Sequence, residues 1–293
     1  NAGGGATQVL MPLMLGALVM FGVEQAMGWR IALIVPGVLM LIVGLMYWKF
    51  TQDCPQGNFK ELRTEGVSVG SDKKGGVAIL MHAAKNDRVW ILFGAYAACF
   101  GIEIFIHNIV AMYYVDHFSF GLKEAGMAAG IFGLLALFAR ALGGIVSDKV
   151  ATKKGLDGRT KVLFGMILLE GLFLVLFSQM NTPIFAILAM TVFALFTHMA
   201  CGATYALVPF IDRDALGGVA GIIGAGGNVG AVAAGFLLKG MLDIQTTLMI
   251  LGGLVVIAAS FVLMIRFSVE HKEKEQRLFE QAVHDRSIAE AQN

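Results

Sequence analysis

The chain has 293 residues, 57% of them hydrophobic and 15% charged, against roughly 45–50% and about 25% in an ordinary soluble domain; a water-soluble fold could not hide that much apolar surface. A net charge of +1, with no basic stripe carrying interleaved aromatic residues, offers no electrostatic case for a nucleic-acid partner. Charged residues gather in short segments between long uncharged runs, which is how an all-α, multi-spanning membrane protein distributes them in a lipid bilayer.

Runs long enough to cross about 30 Å of hydrocarbon at ~1.5 Å per residue fall at 1–23, 29–48, 89–115, 125–147, 162–179, 183–208, 215–238 and 246–267. The first opens on Asn1 and Gly3-Gly4-Gly5 without a basic n-region or a cleavage site, so it reads as neither a signal peptide nor a natural start. Residues 49–88 then form one long hydrophilic connection with Pro55 and mixed charge, as a linker between two helix bundles would. Two spans precede it and six follow. A transporter of two six-helix halves explains this imbalance if four helices are absent at the front. The spans are then expected to be helices 5–12, with 1–48 closing the N-terminal half, 49–88 the central loop, 89–267 the C-terminal half and 268–293 a charged tail. Lys and Arg crowd onto one set of loops and the tail, whereas the other set holds only Arg30, Lys123 and Lys239. By the positive-inside rule the crowded side, with the C-terminus, is expected to be cytoplasmic, in a cell (inner or plasma) membrane.

The three cysteines, Cys54, Cys99 and Cys201, have no metal-ligand spacing and read as small packing residues. The six histidines are scattered, and there is no H-E-x-x-H, no G-x-S-x-G and no pair of carboxylates at catalytic spacing. Neither an enzyme nor a metal or cofactor is therefore expected. A membrane sensor would normally append a signalling domain, and none is recognisable.

After the fourth span, Gly144-Ile-Val-Ser-Asp148-Lys149, followed by Lys153, Lys154 and Arg159, resembles the G-x-x-x-D-[RK] loop of the major facilitator superfamily. There it follows the second helix of a half, which is where it falls here. The resemblance implies that helix ends approach at Gly144 while Asp148 and the nearby cations, Lys149 among them, lock the inward-closed packing. The plain alternative is a solvated basic loop.

Two segments are unusually rich in glycine: Asn1-Ala-Gly-Gly-Gly-Ala-Thr-Gln8 and Gly221-Ile-Ile-Gly224-Ala-Gly226-Gly227-Asn228-Val-Gly230-Ala231. Small residues at i, i+4 let helices approach closely in lipid, and packing accounts for part of the pattern. At ~1 kcal/mol per helical glycine relative to alanine, the density also suggests helices that bend or slide. These paired segments resemble the two signature sequences of the nitrate/nitrite porter family of the major facilitator superfamily. The likeness continues through Thr51–Asn58, Gly101-Ile-Glu103, Asn108 and Phe138-Ala-Arg140-Ala-Leu-Gly143-Gly144, and it leans toward the high-affinity assimilatory branch. It implies a monomeric porter working by alternating access, the fold of that superfamily, and a nitrate or nitrite anion as substrate.

Arg140 is the one basic residue inside a span. A guanidinium there costs at least ~2.5–3.5 kcal/mol on insertion scales, so something must compensate: snorkelling, a structural carboxylate, or a substrate anion whose oxygens match the planar paired donors. The resemblance implies the last, in concert with an equivalent arginine in a helix that is not in this chain. Tyr96, Glu103 and His107 follow at spacings of seven and four, on one helical face. The family likeness gives Tyr96 an anion contact. Glu103, the sole acid expected deep in a span, is either a structural partner or a proton carrier, and His107 is a second candidate carrier. Asn1 and Asn228 would donate amide N–H groups to the anion or to Arg140, or else bond between helices, with Gly226 and Gly227 admitting the substrate. Phe193 or Phe196 would supply a sandwiching ring. Anion uptake into a negative-inside cell must be driven, at ~2.3 kcal/mol per charge per 100 mV. Proton symport or exchange against internal nitrite would serve, and a porter for another small anion is the alternative within the class.

Overall fold

The structure, a computed structural model, describes residues 2–64, 66, 75–240, 243–278 and 281. Among these it is helical nearly throughout: α1 (Ala2–Met20), α2 (Gln25–Phe50), the short α3 (Phe59–Thr64) and α4 (Gly76–Ala84), α5 (Asp87–Tyr96), α6 (Ile102–Phe118), α7 (Leu122–Ser178), α8 (Pro183–Leu207), α9 (Leu216–Lys239) and α10 (Ile244–Val262). A π-helical turn, Ala97–Gly101, joins α5 to α6, so that Asp87–Phe118 crosses as one unit. At 57 residues, α7 would be far longer than a bilayer is thick. It turns at Gly155, whose φ of 57° and ψ of −148° suit a residue without a Cβ, and it therefore supplies two crossings. With the shorter apolar stretch Gly5–Met20, the described helices make eight crossings.

The expected spans coincide with these helices to within a few residues, but two connections differ. The stretch between the fourth and fifth spans is not an open loop; its backbone stays helical except at Gly155. The 49–88 connection contains α3 and α4, and α4 lies against α9, with Gly218 facing the Ile79 carbonyl.

Close crossings at glycine hold the bundle, as expected where lipid supplies no hydrophobic drive between helices. Gly5 of α1 meets Gly133 of α7, and Val9 and Pro12 follow against Gly130 and Gly126 at successive turns. Gly171 of α7 meets Gly252 of α10, where an added Cβ would lie 2.8 Å from the Gly252 carbonyl oxygen. The core runs through α5, α6, α7, α8 and α10, with Tyr114, Phe132, Phe177 and Phe193 wholly buried. By contrast, α2 buries only Gly28 and Ala32 and presents Leu33, Leu39, Met40 and Leu41 outward, an apolar exterior of the kind that lipid covers.

Residues 269–278 form a further helix pinned to the end of the bundle where α7 turns. Arg213 Nε donates to Glu275 Oε1 at 2.9 Å, Lys272 Nζ meets Asp157 Oδ2 at 2.6 Å, and His271 Nε2 lies 3.0 Å from the Phe210 carbonyl oxygen.

Candidate functional site

Arg140 occupies the first arm of α7. Its backbone is pressed against α8, because Gly202 leaves no room for a Cβ beside the Arg140 carbonyl, and three residues on Gly143 abuts Met199 in the same way. This crossing aims the side chain at the π turn and α6. Arg140 Nη2 donates to Glu103 Oε2 at 2.6 Å. The Glu103 side chain is completely buried while that of Arg140 is 32% exposed, so the pair has one dry end and one open end.

Further groups converge on Glu103. His198 Nδ1 lies 3.2 Å from Oε1, and its Nε2 lies 2.8 Å from the Phe132 carbonyl oxygen. The Cys201 thiol donates to Oε2 at 3.4 Å. A buried carboxylate keeps its charge only when partners satisfy its lone pairs, and here the arginine and the thiol donate to it, while His198 Nδ1 donates only if the ring is protonated, since its Nε2–H is used on the Phe132 carbonyl. On the open side Arg140 lies over the Phe100 ring, 5.3 Å from its centroid. Phe100 stacks on Tyr96 at 4.9 Å, and Tyr96 meets Tyr205 edge-on at 5.2 Å. Arg140 Nε is buried and has no hydrogen-bond partner.

Of the compensations open to Arg140, the structure supplies a structural carboxylate. Glu103 is that partner, and an arginine nitrogen and a histidine nitrogen both reach it. The single face expected for Tyr96, Glu103 and His107 is broken by the π turn, whose wider coil displaces the register by about one residue; Phe100 thereby comes to lie between Tyr96 and Arg140. His107 sits edge-on to Phe132 with both ring nitrogens unpartnered, and its carbonyl accepts from Gln8 Nε2 of α1 at 2.7 Å.

Asn228 does not reach Arg140. It is exposed, and its amide points to the Gly224 carbonyl of its own helix at 3.5 Å. Gly226 and Gly227 are filled positions rather than an entrance: Gly226 abuts Phe93 of α5 and Gly227 abuts the Phe100 ring. Gly144 also departs from its expected role, for nothing lies within 4 Å of where its Cβ would be, and the tight approach belongs to its neighbour Gly143. Asp148 pairs with Arg159 across the α7 turn, and Lys149 is exposed. Asn1 lies outside the described residues. Phe193 stacks on Phe132 and Phe196 on Phe173, so the ring beside Arg140 is Phe100. A cavity of about 730 Å³ opens between the tail helix and the α7 turn, lined by charges of both signs, and does not include Arg140.

Sequence reasoning missed His198, Cys201 and Phe100 as parts of this cluster. His198 and Cys201 are one turn apart on α8, and Phe100 is four residues from Tyr96; a polar one-turn repeat inside an apolar run is the signal that was there to find. It also missed a second buried acid: Glu170, in the second arm of α7, is 0% exposed.

The profile of the Major Facilitator Superfamily matches residues 1–209 and again residues 108–290. The chain belongs to the Major Facilitator Superfamily. Within this superfamily it is 37% identical over 261 residues to the high affinity nitrate transporter 2.5 of Arabidopsis thaliana, a match covering 89% of this chain and 51% of that protein. It is 34% identical over 146 residues to the nitrate/nitrite transporter NrtP of Nostoc punctiforme, covering 50% of this chain and 28% of that one. The chain thus spans about half the length, or less, of these relatives. Among solved structures, a bacterial homologue of the human lysosomal transporter Spinster superposes with a TM-score of 0.59 at 15% identity, over 89% of this chain and 67% of that one. This likeness shows a shared fold.

Proposed function

We propose that the chain is part of a porter that moves nitrate and/or nitrite across the membrane by alternating access, with Arg140 as its positive contact for the anion and Tyr96 beside it. The observation that carries this reading is the buried, unpartnered Nε of a guanidinium whose other end is already anchored on Glu103. A donor left without an acceptor away from water costs ~1–3 kcal/mol, and a small planar oxyanion would satisfy it. The relatives' names agree with such an anion, and the Arg140 side chain is 32% exposed. Asn228, on the exposed face of α9, is a further candidate contact.

The Arg140–Glu103 pair is neutral as it stands, so an arriving anion competes with Glu103 for the guanidinium. Protonation of Glu103 weakens its hold, frees Arg140 for the oxyanion and carries one proton with each anion. His107, unpartnered and on the same helix, is the other candidate carrier. The concentration of Lys and Arg on the tail side supports a cytoplasmic C-terminus, and the porter is expected to act as a monomer.

The test uses the full-length protein in proteoliposomes under imposed pH gradients. Arg140→Lys, which replaces a planar fork with a point charge, is expected to lower saturable nitrate flux roughly 10–100-fold, the loss of one or two charge-assisted hydrogen bonds. Formate and acetate should not be carried. Saturable nitrate flux undiminished in Arg140→Lys would end this reading, and transport of acetate at a similar rate would transfer it to a broader anion class.

A further inference from the structure

The carboxyl of Glu170 has no place in the scheme above. It lies deep in the second arm of α7, is 0% exposed, and both its oxygens lack a hydrogen-bond partner. Next to it Gly171 is locked on Gly252 and Val256 of α10, so the side chain cannot swing out to lipid without parting that crossing. The polar groups near it are Cys99 of the π turn, Glu103 of α6 and Thr197 of α8. The Thr197 hydroxyl is directed to the Phe193 carbonyl at 3.0 Å. His198 and Cys201 stand further along α8, and His107 along α6; α10 carries no ionisable side chain between Ile244 and Val262. Among the described residues no cation pairs with Glu170.

A carboxylate in such a place would be an uncompensated charge, which buried sites do not tolerate; the form that fits here is the neutral acid. Acids of this kind inside membrane spans are costly to keep, and they mark proton relays and ion pathways. Glu170 also stands within electrostatic range of the Arg140 cluster. Cys99 neighbours both Glu170 and Cys201 with its thiol directed to the Tyr96 carbonyl, and Cys201 donates to Glu103. Each thiol is a weak donor and a weak acceptor, so polar groups stand between Glu170 and the guanidinium, although no hydrogen bond reaches Glu170 itself.

We propose that Glu170 is a second proton-binding site of the transport cycle, in the neighbourhood of the Arg140–Glu103 pair. The proton is taken from water on one side as the carboxylate becomes the acid, and it is returned to water on the other side as the O–H bond breaks; no other bond changes. Glu103 and Glu170 cannot both be charged and close without mutual repulsion. Occupation of Arg140 by an anion, which alters the charge on Glu103, therefore alters the proton on Glu170. The inference rests on the reading of the protein as a proton-coupled anion porter.

The experiment compares the full-length wild type with Glu170→Gln, which keeps the shape of the neutral acid. Two fluxes are measured in proteoliposomes: counterflow of labelled nitrate at equal pH, and nitrate accumulation against a pH gradient. The expected result is counterflow within twofold of wild type, gradient-driven accumulation reduced at least tenfold, and fewer charges moved per nitrate. Equal accumulation and equal charge per nitrate in Glu170→Gln would overturn the proposal and leave Glu170 a packing residue. Absence of nitrate counterflow in the wild type would instead overturn the porter reading, and this proposal with it. Should the variant fail to fold, infrared difference spectra of the wild type decide. A carbonyl band of an isolated protonated carboxyl that responds to nitrate and to pH supports the site, and a band that responds to neither removes it.

Discussion

Arg140 and Glu103 are 37 positions apart in sequence and 2.6 Å apart in space, and the rest of the site follows from that contact. A charged residue alone in an apolar run announces itself, which is why Arg140 and Glu103 were both legible and why Glu170, alone in the run from Val162 to Phe177, could have been. Which groups would surround them was not, because histidines, cysteines and phenylalanines inside spans serve packing equally well. Glu103→Gln keeps an acceptor for Arg140 but cannot exchange a proton. If Glu103 carries the coupled proton, nitrate uptake by this variant becomes independent of pH between mildly acid and neutral conditions, while the anion meets less competition for Arg140 and binds more tightly. Uptake that still rises with acidity would remove Glu103 from that role. His198→Ala takes away a buried group 3.2 Å from the carboxylate and is expected to shift the pH profile without abolishing flux.

At the scale of the element, adjacent glycines in α7 have opposite prospects. Gly143 packs directly on the Met199 carbonyl, while Gly144 faces open space. Gly143→Ala should cost ~1–3 kcal/mol as overpacking and lower the thermal midpoint of the purified protein by several degrees. Gly144→Ala should be neutral or raise stability by up to ~1 kcal/mol through helix propensity. The capping of α10 gives a pH-dependent counterpart. Asp243 accepts from the Thr246 N–H at 2.9 Å, and the hydrogen bonds from Thr246 hold its carboxyl below the usual range. A lowered folded value means that the cap stabilises above the ordinary carboxylate range and ceases to do so as pH falls through that folded value. Asp243→Ala should therefore lower the thermal midpoint at neutral pH, with the difference from wild type closing in strong acid.

Across the whole molecule, the tail helix ties the far end of the chain to both the α7 turn and the segment after α8. Its ion pairs are partly exposed, so each contributes only ~0.2–1 kcal/mol. Arg213→Ala should accordingly raise hydrogen exchange or proteolysis of residues 269–278 by a few-fold and no more, and high salt should weaken the wild-type contact in the same direction. Larger effects would mean that the tail helix folds only when docked.

The sequence by itself determined that this protein lives in a bilayer, where its helices cross, which superfamily it resembles and which arginine is anomalous. Hydropathy and charge placement act residue by residue through transfer from water to lipid, and that term can be read locally. Only the tertiary structure decided that α7 remains helical through the expected loop, that a π turn rotates Glu103 relative to Tyr96, that Gly143 rather than Gly144 is the crossing point, and that Glu170 is buried without a partner. Each of these depends on which helix faces which. In lipid that choice is made by close packing and by the pairing of polar groups between segments distant in the chain, and neither leaves a mark on a single segment.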